Sequence, residues 1–261
     1  MTALPLKIGE YNGKMFGWID KKWNPVTGCY HGCQCCWAKK LAKSRLKNIE
    51  RYRHGFIPTF NRKELPKKFS NKTVFVSDMG DLFGDWVKNK WIAQVLKSIE
   101  NSPTSEFLLL TKNPKRFKDF LELFPENVIL GATIETNRNY TTPNSKKYKP
   151  QTRFHRYVSM KSLRWHKKFL AIEPLMDFDA KIFEKWICEI RPEKVSISLD
   201  NWNKGLSSPK IEDALDFCEN LSDFTLVLPH GDWTKDEKVR MRLRRIERIN
   251  RKDKNTRAQK A

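Results

Sequence analysis

Three cysteines in the first forty residues have the spacing of an iron–sulfur ligand set. Cys29, Cys33 and Cys36 form the pattern C-x3-C-x2-C, with Cys35 as an additional thiol inside it. Three thiolates on one short loop can hold three irons of a cubane [4Fe–4S] cluster and leave the fourth iron open to a small chelating molecule. Four of the six cysteines are crowded into this segment. Because a disulfide framework would spread its cysteines along the chain, the spacing predicts a metal or cluster site in a reducing compartment.

Two other types of site are compatible with the same segment. A structural zinc site could use all four thiols, with or without His31, and Cys33 with Cys36 could form a redox disulfide. Structural zinc usually takes two pairs of ligands from separate turns, and no second C-x2-C pair occurs in the chain. A disulfide would leave Cys29 without a role. Both observations favour the cluster.

The elements that must position this loop alternate between short apolar runs and longer helical patterns. The continuous apolar character of the runs is expected of parallel strands that are buried on both faces. The predicted strands are Thr73–Ser77, Phe107–Thr111, Val128–Ile134, Phe169–Glu173, Val195–Leu199 and Phe224–Leu228, with a further short strand within Trp18–Val26. The predicted helices between and around them are Ala38–Leu46, Trp86–Ile99, Pro114–Leu123, Ile182–Ile190 and Ile211–Asn220.

This alternation predicts an α/β fold, a partial or complete (β/α) barrel of about six or seven parallel strands. A doubly wound open sheet is the second interpretation, because sequence does not show whether the sheet closes. We expect one domain over residues 1–234, followed by a basic helix or tail over 235–261. In barrels of this kind, functional side chains follow the carboxyl ends of the strands. Polar residues such as Asp78, Asp81 and His230 occupy such positions.

The charge of the chain indicates a polyanionic partner. Lys and Arg number 51 against 30 Asp and Glu, a formal net charge of +21. The stretch from Asn137 to Lys168 contains no acidic residue and interleaves its basic residues with aromatics, which suits phosphates and unstacked bases. The residues predicted to bind nucleic acid are Lys146, Lys147, Lys149, Arg153, Arg156 and Tyr157. No apolar run is long enough for a membrane span, so we expect a cytoplasmic protein.

Several motifs together resemble one known superfamily. The context WNPVTGC-x3-C-x2-CWA is followed by VSDMGDLFG, LLTKNP, LGATIETN and IEPL. In an α/β chain, this combination resembles the radical SAM superfamily, and within it an uncharacterised branch that phages often encode. The similarity extends from about Trp18 to His230.

The resemblance implies the cofactors and the type of reaction. S-adenosylmethionine would chelate the open iron of a [4Fe–4S] cluster on Cys29, Cys33 and Cys36, and one-electron reduction would cleave it to methionine and a 5′-deoxyadenosyl radical. That radical would abstract hydrogen from a substrate. The electron donor would be a protein such as a flavodoxin or ferredoxin. The resemblance also implies cofactor contacts for Asp78 and Asp81 after the first long strand, and for Thr133, Glu135 and Glu173.

One residue departs from the superfamily pattern. The position before the last ligand is usually aromatic and packs near the adenine, whereas this chain has Cys35 there. Cys35 could replace the aromatic residue in packing or compete for iron, and Trp37 or Tyr30 could take over the aromatic role.

Three functions are consistent with these observations. The first is a radical SAM enzyme that acts on nucleic acid, in base modification or repair. The second is the same enzyme with a protein or small-molecule substrate. The third is a non-catalytic nucleic-acid-binding protein in which a cluster or zinc only stabilises the fold. No residue of the sequence identifies the atom of the substrate that reacts.

Overall fold

The computed structural model describes residues 16–140, 151–200, 205–231, 233 and 236–258, with side chains described as far as residue 250. The described chain divides into two compact units. The cysteine unit contains residues 19–133, 140 and 151–167. The C-terminal unit contains residues 16–18, 134–139 and the described residues from 168 onward.

The cysteine unit is built from six strands and three α-helices. In chain order they are β1 (Lys21–Trp23), β2 (Val26–Thr27), α1 (Trp37–Lys43), β3 (Thr59–Phe60), β4 (Thr73–Val76), α2 (Asn89–Ile99), β5 (Glu106–Thr111), β6 (Val128–Thr133) and α3 (Arg153–Ser162). Short 3-10 helices cover Glu50–Tyr52, Arg62–Glu64 and Pro114–Leu123.

Four strands of this unit pair in parallel, in the order β1-β4-β5-β6. In register, Trp23 of β1 lies opposite Val76 of β4, and Val76 lies opposite Leu109 of β5. Every residue of β6 is buried, as the continuous apolar run predicts for a strand that is covered on both faces. The two short strands β2 and β3 pair antiparallel beside the cysteine loop. The carboxyl ends of the parallel strands therefore form one edge, where the loops of interest begin.

The C-terminal unit repeats the strand–helix alternation. Its elements are β7 (Lys168–Ile172), α4 (Ala180–Ile190), β8 (Lys194–Ile197), α5 (Ile211–Leu221), β9 (Leu226–Pro229) and α6 (Glu237–Ala258). The three strands pair in parallel in chain order. With the four of the cysteine unit, seven parallel strands are present in the described part of the chain. The predicted α/β fold with six or seven parallel strands is confirmed.

The helix α6 docks through a narrow apolar stripe and one amide. Val239, Leu243 and Ile246 are buried at helical spacing. The side chain of Asn250 donates to the carbonyl of Val227 at 2.6 Å and accepts from the Val227 N–H at 3.2 Å. The amide thereby satisfies both backbone groups of one residue in β9, the last strand of its sheet.

The structure corrects three details of the predicted elements. The helix expected from Trp86 begins only at Asn89, and Pro114–Leu123 is 3-10 rather than α. The acid-free stretch contains α3, a helix that the sequence did not reveal. The predicted division of the chain after residue 234 stays a prediction. No helix among the described residues is long and apolar enough to cross a membrane.

Candidate functional site

The cysteine loop is held against the segment after β4 by two glycines. The N–H of Gly28 donates to the carbonyl of Met79 at 2.9 Å, and Gly28 forms an isolated parallel bridge with Gly80. Gly28 has a φ of 82°, and a Cβ built there would lie 2.2 Å from the carbonyl oxygen of Ile57. A Cβ at Gly80 would lie 3.1 Å from backbone atoms of residues 26–28. Only glycine permits this approach of three backbone segments.

Backbone N–H groups are directed at two of the three thiols of the pattern. The sulfur of Cys36 accepts from the N–H of Lys39 at 3.3 Å and thereby caps the amino end of α1. The sulfur of Cys29 accepts from the N–H of His31 at 3.5 Å. Such N–H···S contacts are a usual feature of sulfur ligands in iron–sulfur proteins. Cys33 and Cys35 on the same loop are half-buried.

The electrostatics of the loop favour a positively charged group between the thiols. Burial raises the pKa of Cys29 well above its ordinary value, and the nearby charge of Asp81 raises it further. Burial also raises the pKa of Cys36. A bound metal reverses this situation, because a coordinating thiol loses its proton. The burial of the thiols and the N–H contacts to their sulfurs thus fit a metal cluster.

A single metal ion and a cluster require different arrangements of the thiols. Within the described residues, no three His, Cys, Asp or Glu side chains form a group that could hold one ion. In a cubane cluster, each thiolate binds a different iron, so the sulfurs need not converge on one point. The assignment of Cys29, Cys33 and Cys36 to a cluster stays a prediction.

Asp81 links the cysteine loop to the segment that follows β5. Its carboxylate accepts from Nε2 of His31 at 2.7 Å, from the hydroxyl of Thr111 at 2.7 Å and from the N–H groups of Phe83 and Lys112, both at 3.0 Å. Burial alone would raise the pKa of Asp81, but the contacts with His31, Lys112 and Thr111 outweigh it and hold the pKa below the ordinary value. Both oxygens of this carboxylate thus already accept hydrogen bonds from protein groups.

Trp86 also packs against the cysteine loop. Its ring lies 4.8 Å from the ring of His31 and 5.5 Å from that of Tyr30, centroid to centroid, both edge-on. A Cβ at Gly84 would lie 2.2 Å from the Trp86 ring, so glycine lets the indole fold back over its own segment. Arg116 fixes this segment by donating to the carbonyls of Gly84 and Val87.

Asp78, the other acidic residue of the VSDMGD segment, lines a cavity of about 360 Å³. Its carboxylate accepts from Nδ2 of Asn24 at 2.6 Å and pairs with Nζ of Lys22 at 3.2 Å. The Lys22 ammonium also lies 5.4 Å from the centroid of the Trp37 ring. The complete lining is Lys22, Asn24, Trp37, Leu41, Leu46, Ile49, Arg51, Tyr52, Asp78 and Met79. Three charged side chains, two aromatic rings and an apolar wall therefore meet in one cavity.

This cavity adjoins the cysteine loop. Met79 and Tyr52 belong to the apolar cluster against which Cys29 and Cys36 pack, and Trp37 directly follows Cys36. Burial raises the pKa of Tyr52. Tyr52 and Lys22 did not stand out in the sequence, where each is one residue of its type among many. Asn24 could have been noticed, since it belongs to the quoted WNPVTG run.

The remaining predicted cofactor residues are placed differently. Thr133 ends β6 in the cysteine unit, and its carbonyl accepts a hydrogen bond from the buried guanidinium of Arg156. Glu135 and Glu173 lie in the C-terminal unit. Glu173 accepts from Nε2 of His230 at 2.5 Å. The cofactor contacts predicted for these three residues stay predictions.

The residues predicted to bind nucleic acid fall into two groups. Lys146, Lys147 and Lys149 lie outside the described residues. Arg153, Arg156 and Tyr157 lie on α3 and are buried. The guanidinium of Arg153 lies over the Tyr140 ring at 5.9 Å, and the hydroxyl of Tyr157 accepts from Lys161 at 3.3 Å. Exposed basic side chains occur elsewhere, for example Arg245 and Arg248 on α6.

Comparison with known proteins identifies the family. A family model described as "Protein of unknown function (DUF5131)" matches residues 14–188, more than half of the chain, so the chain belongs to this family. No curated protein matches the chain.

Solved structures with a related arrangement include two of spore photoproduct lyase. One, complexed with dinucleoside spore photoproduct, has 10% sequence identity and a TM-score of 0.46 over 67% of this chain, which spans 54% of that protein. The other, a double mutant with bound AdoMet and dinucleoside spore photoproduct, has 11% identity and a TM-score of 0.47 over 88% of this chain and 72% of that one. At TM-scores below 0.5, these likenesses carry no part of the functional argument.

Proposed function

We propose that the chain is a radical SAM enzyme whose [4Fe–4S] cluster is held by Cys29, Cys33 and Cys36. The observation that carries the proposal is the placement of three thiols on one loop, with N–H contacts to two sulfurs and a cavity beside it. When bound, the cluster and S-adenosylmethionine supply one-electron cleavage of the sulfonium and hydrogen abstraction. The protein supplies ligation, orientation and exclusion of water.

The side chains of the cavity suit the parts of S-adenosylmethionine. The Asp78 carboxylate, oriented by Asn24, provides an acceptor for an ammonium group. The Trp37 ring offers a face for adenine, and the hydroxyl of Tyr52 can donate to a ribose oxygen. A volume of about 360 Å³ lies within the range of small-molecule sites.

Apolar side chains form one wall of the cavity. They are Leu41, Leu46, Ile49 and Met79. Displacement of water from this wall by a bound cofactor would lower the local dielectric constant and strengthen the contact between the Asp78 carboxylate and a bound cation. It also protects a reactive carbon centre from side reactions.

Asp81 serves this site in another way than the sequence resemblance implies. Because its carboxylate accepts four hydrogen bonds from protein groups and does not line the cavity, we assign it to holding the cysteine loop. Asp78 is then the acidic residue of the segment that contacts the cofactor.

We propose a nucleic acid as the substrate. The proposal is supported by the net charge of +21 and by exposed arginines on α6, whose orientation is fixed by the buried Val239, Leu243 and Ile246. A reducing protein such as a flavodoxin or ferredoxin would deliver the electron. A protein or small-molecule substrate is the alternative outcome of the binding test below.

Anaerobic reconstitution tests the radical SAM assignment. We expect about four irons and four sulfides per chain, as the cluster formula requires, and release of 5′-deoxyadenosine from S-adenosylmethionine after reduction with dithionite. Cys29→Ala, Cys33→Ala and Cys36→Ala should abolish both, whereas Cys188→Ala, at an exposed position, should change neither. Stoichiometric zinc without iron in the anaerobic protein would overturn the proposal.

Salt-dependent binding tests the substrate class. We expect oligonucleotide affinity to fall steeply with salt, with a slope of about −0.9 for each phosphate contacted in B-DNA. Replacing Arg245 and Arg248 by Gln should make that slope less steep. The same change at Lys181 and Lys185, exposed on α4, removes the same charge and serves as the control. Absence of binding at low salt, in a protein that cleaves S-adenosylmethionine, would favour the protein or small-molecule substrate.

A further inference from the structure

His31 lies between two of the cysteines and is almost completely enclosed. Its residue exposure is 5%, although it belongs to a loop with half-buried cysteines on either side. Asp81 accepts from its Nε2 at 2.7 Å. The other ring nitrogen, Nδ1, is buried and has no hydrogen-bond partner within the described residues. A buried polar atom without a partner is costly and is rare in native proteins, so this atom indicates a partner that binds later.

The hydrogen bond with Asp81 determines which atom faces the missing partner. An ionised carboxylate only accepts hydrogen bonds, so the shared proton lies on Nε2. An imidazole that binds a metal through Nδ1 is neutral, and with the proton on Nε2 its Nδ1 offers a lone pair. A carboxylate that holds one ring nitrogen while the other faces a bound group is the arrangement in which histidines meet metal centres in proteins.

Trp86 restrains the same ring from a second direction. Its indole packs edge-on against His31 at 4.8 Å, and the absence of a Cβ at Gly84 allows the indole to reach that position. Arg116 and Asn113 anchor the supporting segment, the latter by donating to the carbonyl of Phe83 at 2.9 Å. The ring of His31 thus has one defined orientation before any cofactor binds.

We propose that His31 is a positioning residue for the group that the three cysteines bind, and that its Nδ1 contacts that group. Asp81 and Trp86 hold the imidazole, and the bound cofactor supplies the partner that Nδ1 lacks. The partner is an electron-pair acceptor, either iron of the cluster or an N–H of the chelating ligand. The inference rests on the proposed function, because it requires a cluster on the loop.

Pulsed EPR of the reduced, reconstituted protein tests the contact directly. With ¹⁵N-labelled histidine, we expect a nitrogen coupling to the cluster in the wild type. A coupling without S-adenosylmethionine identifies iron as the partner, and one that develops only with it identifies the chelating ligand. In His31→Gln, which lacks an atom at the Nδ1 position, the coupling should disappear and the EPR spectrum should shift. Absence of coupling in the wild type under both conditions overturns the inference, even if every variant misfolds.

The restraint by Trp86 is tested with a matched pair of variants. Trp86→Phe should broaden or shift the EPR spectrum and lower the iron retained per chain. Trp91→Phe alters a tryptophan of α2 that stacks on Phe60 at 5.2 Å, and it should change neither property. Equal EPR spectra for Trp86→Phe and the wild type overturn the proposed restraint of His31 by Trp86. A wild type that binds no cluster refutes the proposed function itself, whereas a cluster without histidine coupling refutes only the inference.

Discussion

Replacing Gly28 by Ala should distort the start of the cysteine loop and destabilise the protein. Gly28 has a φ of 82°, a left-handed conformation that costs an L-residue about 1–2 kcal/mol. The new Cβ would lie 2.2 Å from the Ile57 carbonyl oxygen and 2.6 Å from the nitrogen of Pro58. Because both atoms are backbone, relief requires a main-chain shift, and overpacking of this kind costs about 1–3 kcal/mol. We therefore expect a loss of about 2–5 kcal/mol in the free energy of unfolding.

Gly55 provides a matched control for this substitution. It has nearly the same φ, 84°, but a Cβ built there meets nothing within 4 Å. Gly55→Ala therefore carries the same backbone strain without the collision, and Ala lowers the entropy of the unfolded chain equally in both variants. The difference between the two variants isolates the approach of the Gly28 segment to Ile57.

Urea denaturation, followed by circular dichroism, measures both variants. A lower midpoint at an unchanged slope reports a loss of stability. Gly28→Ala should also retain less iron after reconstitution, since the displaced residue immediately precedes Cys29. Equal midpoints for the Gly28→Ala and Gly55→Ala proteins would refute the close approach of the two segments.

Three further predictions concern contacts outside the cysteine loop. Asn250→Ala leaves both backbone groups of Val227 without partners and should lower the free energy of unfolding by about 1–3 kcal/mol in urea; an unchanged midpoint would contradict the pairing. Burial lowers the pKa of His230, but Glu173 outweighs it and raises the pKa above 6.5. The stability that the His230–Glu173 pair contributes to the folded protein should therefore be complete below pH 6.5 and disappear as the pH rises through the folded-state pKa of His230. Melting temperatures measured over a pH series should lose this pH dependence in Glu173→Gln. Arg116→Lys should destabilise by about 1–3 kcal/mol, because an ammonium cannot reproduce the geometry of a guanidinium that donates to three acceptors; equal urea midpoints would contradict it.

Much of the fold could be predicted because its strands are buried on both faces. Runs such as TVFV and FLLLT have a continuous apolar character that no exposed segment would sustain, and the strands β4 and β5 coincide with them. The ends of the helices are harder to predict from sequence. Trp86 extends the apolar pattern of α2 towards the amino end, yet it lies outside the helix because its ring packs on His31. Hydrophobic periodicity does not distinguish an apolar side chain that belongs to a helix from one that lies before the helix and packs against a loop.

The composition of the acid-free stretch gave a partly misleading indication of a surface. The acid-free composition predicts a basic surface, but Arg153 and Arg156 are buried on α3. Arg156 donates to the carbonyl of Thr133 in β6. A count of charges does not show whether a side chain points into the protein or into solvent. That orientation depends here on the helix α3, whose apolar residues are few.

The roles of the two acidic residues after β4 could not be separated from sequence. Asp78 and Asp81 are three positions apart, and both follow the same strand. Their partners decide between them. Asp81 is bonded to His31, which is 50 positions away, and Asp78 to Asn24, which is 54 positions away. Contacts over such separations depend on the folded sheet, and a motif does not encode them.

The tie between His31 and Asp81 also has a consequence for the maturation of the protein. The loop that carries the cysteines is made first, but the residue that orients it is synthesised 50 positions later and becomes fixed only when β4 has paired. Closing a chain segment of this length has an entropic cost that only the assembled sheet can offset. On the ribosome, the cysteines therefore emerge before their binding geometry exists. For the proposed cluster, delivery of iron and sulfide should follow folding of this sheet, and the four thiols would have to stay reduced in the interval.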